Sequence, residues 1–143
     1  MKKLIIALSV FLSLFATQAA LAGPVAVIVN SANSQDISPA DVKNIYMDKS
    51  IAWANGSKIA VYDLPPEDGA AELFARKALG MSARDAAAAE SNRIISNTSR
   101  NTHQTKRDAL VSSIVARTPN AIGYIPLDQA EGKSGIRVLF TLE

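Results

Sequence analysis

The apolar and polar positions of this chain fall into short blocks with two different periods. Val25-Ala-Val-Ile-Val-Asn30 is an unbroken, mostly β-branched run. It predicts a strand buried on both faces, the pattern of parallel sheets. Residues 31–37 are polar and irregular. Ser38-Pro39-Ala40-Asp41 then carries a helix start: a hydroxyl to cap, a proline for the first helical position and an acid where a capping box needs one. Val42, Ile45 and Tyr46 form the apolar stripe of that helix, and Asn55-Gly56 marks a turn beyond Trp53. Ile59-Ala-Val-Tyr62 reads as the second strand, and 63–69 as a loop carrying Pro65-Pro66. A second helix is expected over 70–79, turning Leu73, Phe74 and Ala78 inward and stopping at Gly80. Ser82 with Asp85 reads as a second capping box, opening an alanine-rich helix that ends near Ile95. After a polar loop over 96–104, Thr105 with Asp108 reads as a third box. The helix it opens runs to about Arg117 and buries Leu110, Val111, Ile114 and Val115. Thr118-Pro-Asn120 is a turn, and strands follow over 121–126 and 136–142. The order β-α-β-α-α-α-β-β predicts an α/β fold: a single three-layer lobe with a mostly parallel mixed sheet flanked by helices.

One apolar run stands outside this scheme. Lys2 and Lys3 precede an apolar stretch over 4–15, and small residues close it at Ala20-Leu21-Ala22. That order is expected of a secretory signal peptide over 1–22, leaving a single domain over 23–143 that begins at Gly23. A membrane anchor is the competing reading, but a span needs about 20 apolar residues. The expected location is the periplasm, with no membrane insertion of the mature chain.

Losing 1–22 changes the charge. The full chain has 15 Lys+Arg against 13 Asp+Glu, a formal net charge of +2. Two of the lysines lie in the leader, so 23–143 is formally neutral. No Lys/Arg cluster of the kind that tracks a phosphate backbone is present, so nucleic acid is not an expected partner. The chain has no cysteine and one histidine, His103. Disulfides, thiolate catalysis, thiolate metal sites and a lipid anchor after the leader are thereby excluded, as is a histidine-rich metal centre. No cofactor and no metal are expected. A chain of about 120 residues buries a core without staples.

Two segments carry a family pattern. Asn44-Ile-Tyr-Met-Asp-Lys-Ser-Ile-Ala-Trp53 resembles the D-I-Y/F-x-G-K-x-x-x-W signature of phosphate substrate-binding proteins of ABC transporters. Thr118-Pro-Asn-Ala-Ile-Gly-Tyr124 resembles their T-P-G-A-I-G-Y segment, and the helix over 70–79 falls between the two in the right order. The resemblance implies a type 2 periplasmic-binding-protein-like fold. Both motifs belong to one of the family's two lobes, so it further implies a stand-alone single lobe. Taken on their own, Ile45, Tyr46 and Trp53 read as core anchors at helical spacing. Ile122 and Tyr124 read as strand packing around a close backbone approach at Gly123, and Lys49 as a solvated side chain.

A phosphate site needs donors: helix N-termini with their free N–H groups, and a guanidinium for charge-assisted bonds. In the family an R-x-x-x-S-G-T segment supplies them. The matching residues here are Leu64-Pro-Pro-Glu-Asp68-Gly69-Ala70, with Leu64 in place of the Arg, Asp68 of the Ser and Ala70 of the Thr. Asp68 also reads as a simple N-cap. Other candidate donors are Ser31 and Asn33, after the first strand, and Arg100, in the loop before the last helix. In a parallel sheet the first of these loops sits at the carboxyl edge of its strand, where such folds bind ligands. The same loops also read as solvated.

An enzyme is not expected. A Ser/His/Asp set can be assembled only around the lone His103, with no nucleophile turn beside it. Two functions remain. The first is a secreted, solute-binding-like protein related to phosphate-binding components of ABC transporters, with a small anion such as phosphate as possible ligand and an ABC permease as possible partner. The second is a cell-envelope protein-interaction module with no small-molecule ligand.

Overall fold

The computed structural model describes residues 23–143; the expected leader over 1–22 lies outside them. The β-branched run forms β1 (Val25–Asn30), and all six residues are buried. The other strands are β2 (Ala60–Asp63), β3 (Gln104–Thr105), β4 (Ala121–Pro126) and β5 (Ile136–Leu142). They form one five-stranded sheet in the order β3-β2-β4-β1-β5. The sheet is mixed, as expected: β2 runs parallel to β3 and β4, and β1 runs antiparallel to β4 and β5. The parallel pairing expected of β1 is therefore corrected. A strand with helices over both faces is apolar throughout whichever way its neighbours run, so burial alone did not fix direction.

Two layers of helices cover the sheet: α1 (Pro39–Tyr46), α2 (Gly69–Phe74), α3 (Ala83–Ile95), α4 (Asp108–Arg117) and the single turn α5 (Leu127–Ala130). Successive residues of β4 point to opposite faces, and two of them identify the layers. Gly123 meets Val111 and Val115 of α4. Tyr124 stacks on Phe74 of α2, ring centroids 3.9 Å apart, on the other face. Tyr46 of α1 joins that second layer edge-on to Phe74 at 4.7 Å.

The helix starts obey their local chemistry at α1 and α3. Ser38 Oγ accepts the Asp41 N–H while an Asp41 carboxylate oxygen accepts the Ser38 N–H at 2.8 Å, the full capping box. Ser82 Oγ accepts the Asp85 N–H at 3.0 Å. The helix expected over 70–79 is α-helical only to Phe74. It then widens into a π-helical turn, Ala75–Leu79, and stops at Gly80 with φ +76°.

The third capping box does not form. Thr105 is drawn into β3, where it pairs with Asp63, and α4 starts behind Arg107 with no side-chain cap. The helix begins later than the box implied, so Leu110 is half exposed while Val111 and Val115 are fully buried. Trp53 is buried, as expected of a core anchor. Its indole N–H donates to the Asn120 carbonyl, whereas the aromatic partners of Tyr46 are Phe74, His103 and Tyr124.

Candidate functional site

The antiparallel course of β1 decides where the sequence candidates fall. Val25 lies opposite Pro126 and Ala60 opposite Ala121, so the carboxyl ends of β1 and β2 are at opposite ends of the sheet. Ser31 and Asn33 are thus separated from Asp68, Gly69 and Ala70. Ser31 is exposed. Asn33 is buried, and its Oδ1 accepts the Gln35 N–H in a local turn at 3.1 Å. Arg100 turns elsewhere: its backbone N–H reaches Asp48 Oδ2 at 2.5 Å and its guanidinium the Lys49 carbonyl at 3.1 Å. Among the described residues no hydrogen bond joins these three groups.

Two backbone donors of the segment 64–70 are already met by side chains. An Asp68 carboxylate oxygen accepts the Ala70 N–H at 2.9 Å, so it caps α2 and occupies a donor an anion would need. Leu64 is buried in the core, and its N–H is taken by the Tyr124 hydroxyl at 3.2 Å.

Beside this segment lies a polar cluster that the sequence did not bring together. Asp63 ends β2, His103 directly precedes β3, and Glu90 comes from the middle of α3. With Tyr46, Phe74 and Tyr124 they line a cavity of about 50 Å³. That is room for water-sized species, far short of the roughly 300–1,000 Å³ of a small-molecule pocket. Asp63 Oδ1 accepts the Tyr124 hydroxyl at 3.0 Å, and its Oδ2 faces His103 Nδ1 at 2.6 Å. Glu90 Oε1 accepts the His103 backbone N–H at 2.9 Å, and its Oε2 faces the same Nδ1 at 3.6 Å. The His103 side chain is only 4% exposed, and its Nε2 is buried without a partner. An unmet buried polar atom costs about 1–3 kcal/mol.

Charge follows from this packing. Burial opposes protonation of His103, but the hydrogen bond and charge of Asp63, aided by Glu90, outweigh burial and Arg93, and its pKa is raised above the usual 6.5. Burial, followed by the charge of Asp63, pushes the Tyr46 and Tyr124 phenols well up. Both hydroxyls therefore stay protonated donors, Tyr46 toward the Tyr62 carbonyl at 2.8 Å. The folded state holds the His103 proton more tightly than the unfolded chain. The resulting stabilisation is full below about pH 6.5 and is lost as pH rises through the raised folded value. Urea denaturation in chelator at pH 5.5 and pH 8.5 checks this: wild type should lose more stability over that interval than His103→Gln. Equal losses would show that His103 does not carry the dependence.

Two of the three members of the Ser/His/Asp set considered from the sequence are brought together. His103 and Asp63 pair, but Nε2 has no hydroxyl within reach. The cluster itself was hidden because its residues are far apart in the chain and each reads locally as a strand end, a helix face or a loop. The one available signal was that the lone His follows a polar loop directly into a β-capable pair of residues.

Three solved structures share this architecture. An ABC-type phosphate transport receptor from Vibrio cholerae superposes with a TM-score of 0.60 at 16% identity, over 80% of this chain and 44% of that one. A putative phosphate ABC transporter substrate-binding protein with bound phosphate from Clostridium perfringens gives 0.61 at 18% identity, over 80% and 43%. A possible phosphate binding protein from Planctomyces limnophilus gives 0.60 at 16%, over 83% and 42%. No protein-family model and no curated protein matches the chain. At these identities the likeness is one of fold. The chain has the α/β fold, a mixed five-stranded sheet flanked by helices, of part of those structures, and it spans less than half their length.

Proposed function

We propose that this chain is a secreted, periplasmic lobe of the substrate-binding-protein type that has given up phosphate binding and serves as a protein-interaction module of the cell envelope. The observation that carries this reading is the closure of segment 64–70: Asp68 takes the Ala70 N–H, and Leu64 is buried where a cation would stand. Asp63 and Glu90 add negative charge beside it, the wrong sign for a dianion. A single lobe also encloses only one side of a ligand, so a desolvated cleft needs a second body.

The alternative is a working solute-binding component delivering an anion to an ABC permease. The fold shared with a phosphate transport receptor, a putative phosphate ABC transporter substrate-binding protein and a possible phosphate binding protein favours it. Calorimetry with inorganic phosphate on residues 23–143 separates the two. Each charge-assisted hydrogen bond contributes about 1.5–3 kcal/mol. Loss of the family's cation and two hydroxyls therefore removes on the order of 5 kcal/mol, several thousandfold in affinity. No heat at millimolar phosphate is expected; micromolar binding would restore the transport reading.

A further inference from the structure

We infer that Asp63, Glu90 and His103 form a binding site for one divalent transition-metal ion of the Zn²⁺ class. Their three ligand atoms lie within 4.8 Å of one another, and the side chains come from three separate segments. Each carboxylate spends one oxygen on a protein donor and presents the other to the same imidazole nitrogen. Tyr124 holds Asp63 Oδ1, leaving Oδ2 at 2.6 Å from Nδ1; the His103 N–H holds Glu90 Oε1, leaving Oε2 at 3.6 Å. Carboxylates oriented in this way by outer partners are the supports that metal ligands need.

Zinc-to-oxygen and zinc-to-imidazole bonds are about 2.0–2.2 Å long, which sets tetrahedral ligand atoms roughly 3.3 Å apart. The two spacings to Nδ1 bracket that value, and all three atoms lie within 4.8 Å of one another, so an ion entering between them needs side-chain adjustments of about 1–1.5 Å. The adjoining cavity of about 50 Å³ leaves space for a water as fourth ligand. One imidazole with two carboxylates is a mixed N/O set that suits Zn²⁺ or Mn²⁺ better than Mg²⁺ or Ca²⁺.

The local charge agrees. The nearby Arg93 guanidinium faces Asp48, Nε to Oδ2 at 3.9 Å. The two carboxylates face one imidazole nitrogen, and a divalent ion binding there takes the place of the proton that Nδ1 shares with Asp63. His103 is 96% buried by side chain and has one nitrogen without any partner. The unpartnered atom is Nε2, while Nδ1 is the atom that both carboxylates face. The inference holds whether or not the lobe docks on a protein, because it concerns an inner cavity and a different ligand.

Chelator-stripped protein titrated with ZnCl₂ and, separately, MnCl₂ tests it by calorimetry and thermal melting. One equivalent of Zn²⁺ should bind and raise the melting temperature. Glu90→Gln and His103→Gln should each weaken binding at least tenfold, with circular dichroism confirming that both variants fold. Glu90 sits on the half-exposed face of α3, so its variant keeps the test valid should His103→Gln unfold. No saturable binding of either ion, or Zn²⁺ binding undiminished in Glu90→Gln, would overturn the site. A phosphate result of either sign leaves this outcome unchanged.

Discussion

Replacing Trp53 with Ala is expected to destabilise the protein by about 3–5 kcal/mol, the usual range for a large aromatic removed from a core. Trp53 is 7% exposed. Its indole N–H donates to the Asn120 carbonyl at 2.9 Å, and the same carbonyl accepts the Ala60 N–H at 3.0 Å. The ring thereby ties the loop after α1 to the turn that feeds β4 and to the start of β2. Truncation removes the packing and one of two donors from that carbonyl. Trp53→Phe keeps most of the volume and should cost much less, by the packing difference and about 1 kcal/mol for the hydrogen bond. Urea denaturation followed by circular dichroism measures both. Because Trp53 is the only tryptophan, native fluorescence reports this site alone and should be blue-shifted, moving red on unfolding. A cost under about 1 kcal/mol, with native emission already red, would place the ring on the surface and reopen it as a binding residue.

How much was legible in the sequence depended on whether the signal was local. β1, β4 and β5 were readable because apolar runs and flanking turns are local, and the observed bounds of β4 and β5 match those expected. The α1 capping box was readable for the same reason. Strand direction was not: Val25–Asn30 has the same composition in a parallel or an antiparallel setting, and pairing is decided by residues about a hundred positions away. The Thr105–Asp108 box failed because pairing with Asp63 claims Thr105 first. Site legibility followed the same line. The cap at Asp68 was readable, while the cluster of Asp63, Glu90 and His103 required the fold to bring together three segments that each look ordinary. Nor did the two family-like motifs point to a ligand site. Tyr46 buries its hydroxyl on the Tyr62 carbonyl, Trp53 anchors a turn and Tyr124 stacks on Phe74. What the motifs carry is packing of the fold.

Gly123, inside the second motif, is the clearest case of packing written as a motif, and Gly123→Ala is expected to cost about 1–3 kcal/mol. A Cβ there would stand 2.6 Å from Val111 Cγ1, with Val115 Cγ2 at 3.5 Å and Tyr62 Cβ at 3.7 Å. Real Cβ atoms do not approach a neighbour as closely as 2.6 Å. Val111 cannot step aside cheaply: it is fully buried, and a valine in a helix has one strongly preferred rotamer. Relief has to come from lifting α4 off β4, which opens the core beside Val115. Replacing Gly by Ala also lowers the entropy of the unfolded chain, a gain of about 0.4–1 kcal/mol, which offsets only part of the overlap. The companion variant Val111→Ala removes the clashing methyls and leaves a cavity with its own cost. Combined, Gly123→Ala and Val111→Ala should be less destabilising than the sum of the two, by about 1 kcal/mol or more, because each relieves the other. Equilibrium denaturation of the four proteins in that cycle measures the coupling. Strict additivity would mean that α4 and β4 are not in the close contact that Gly123 permits.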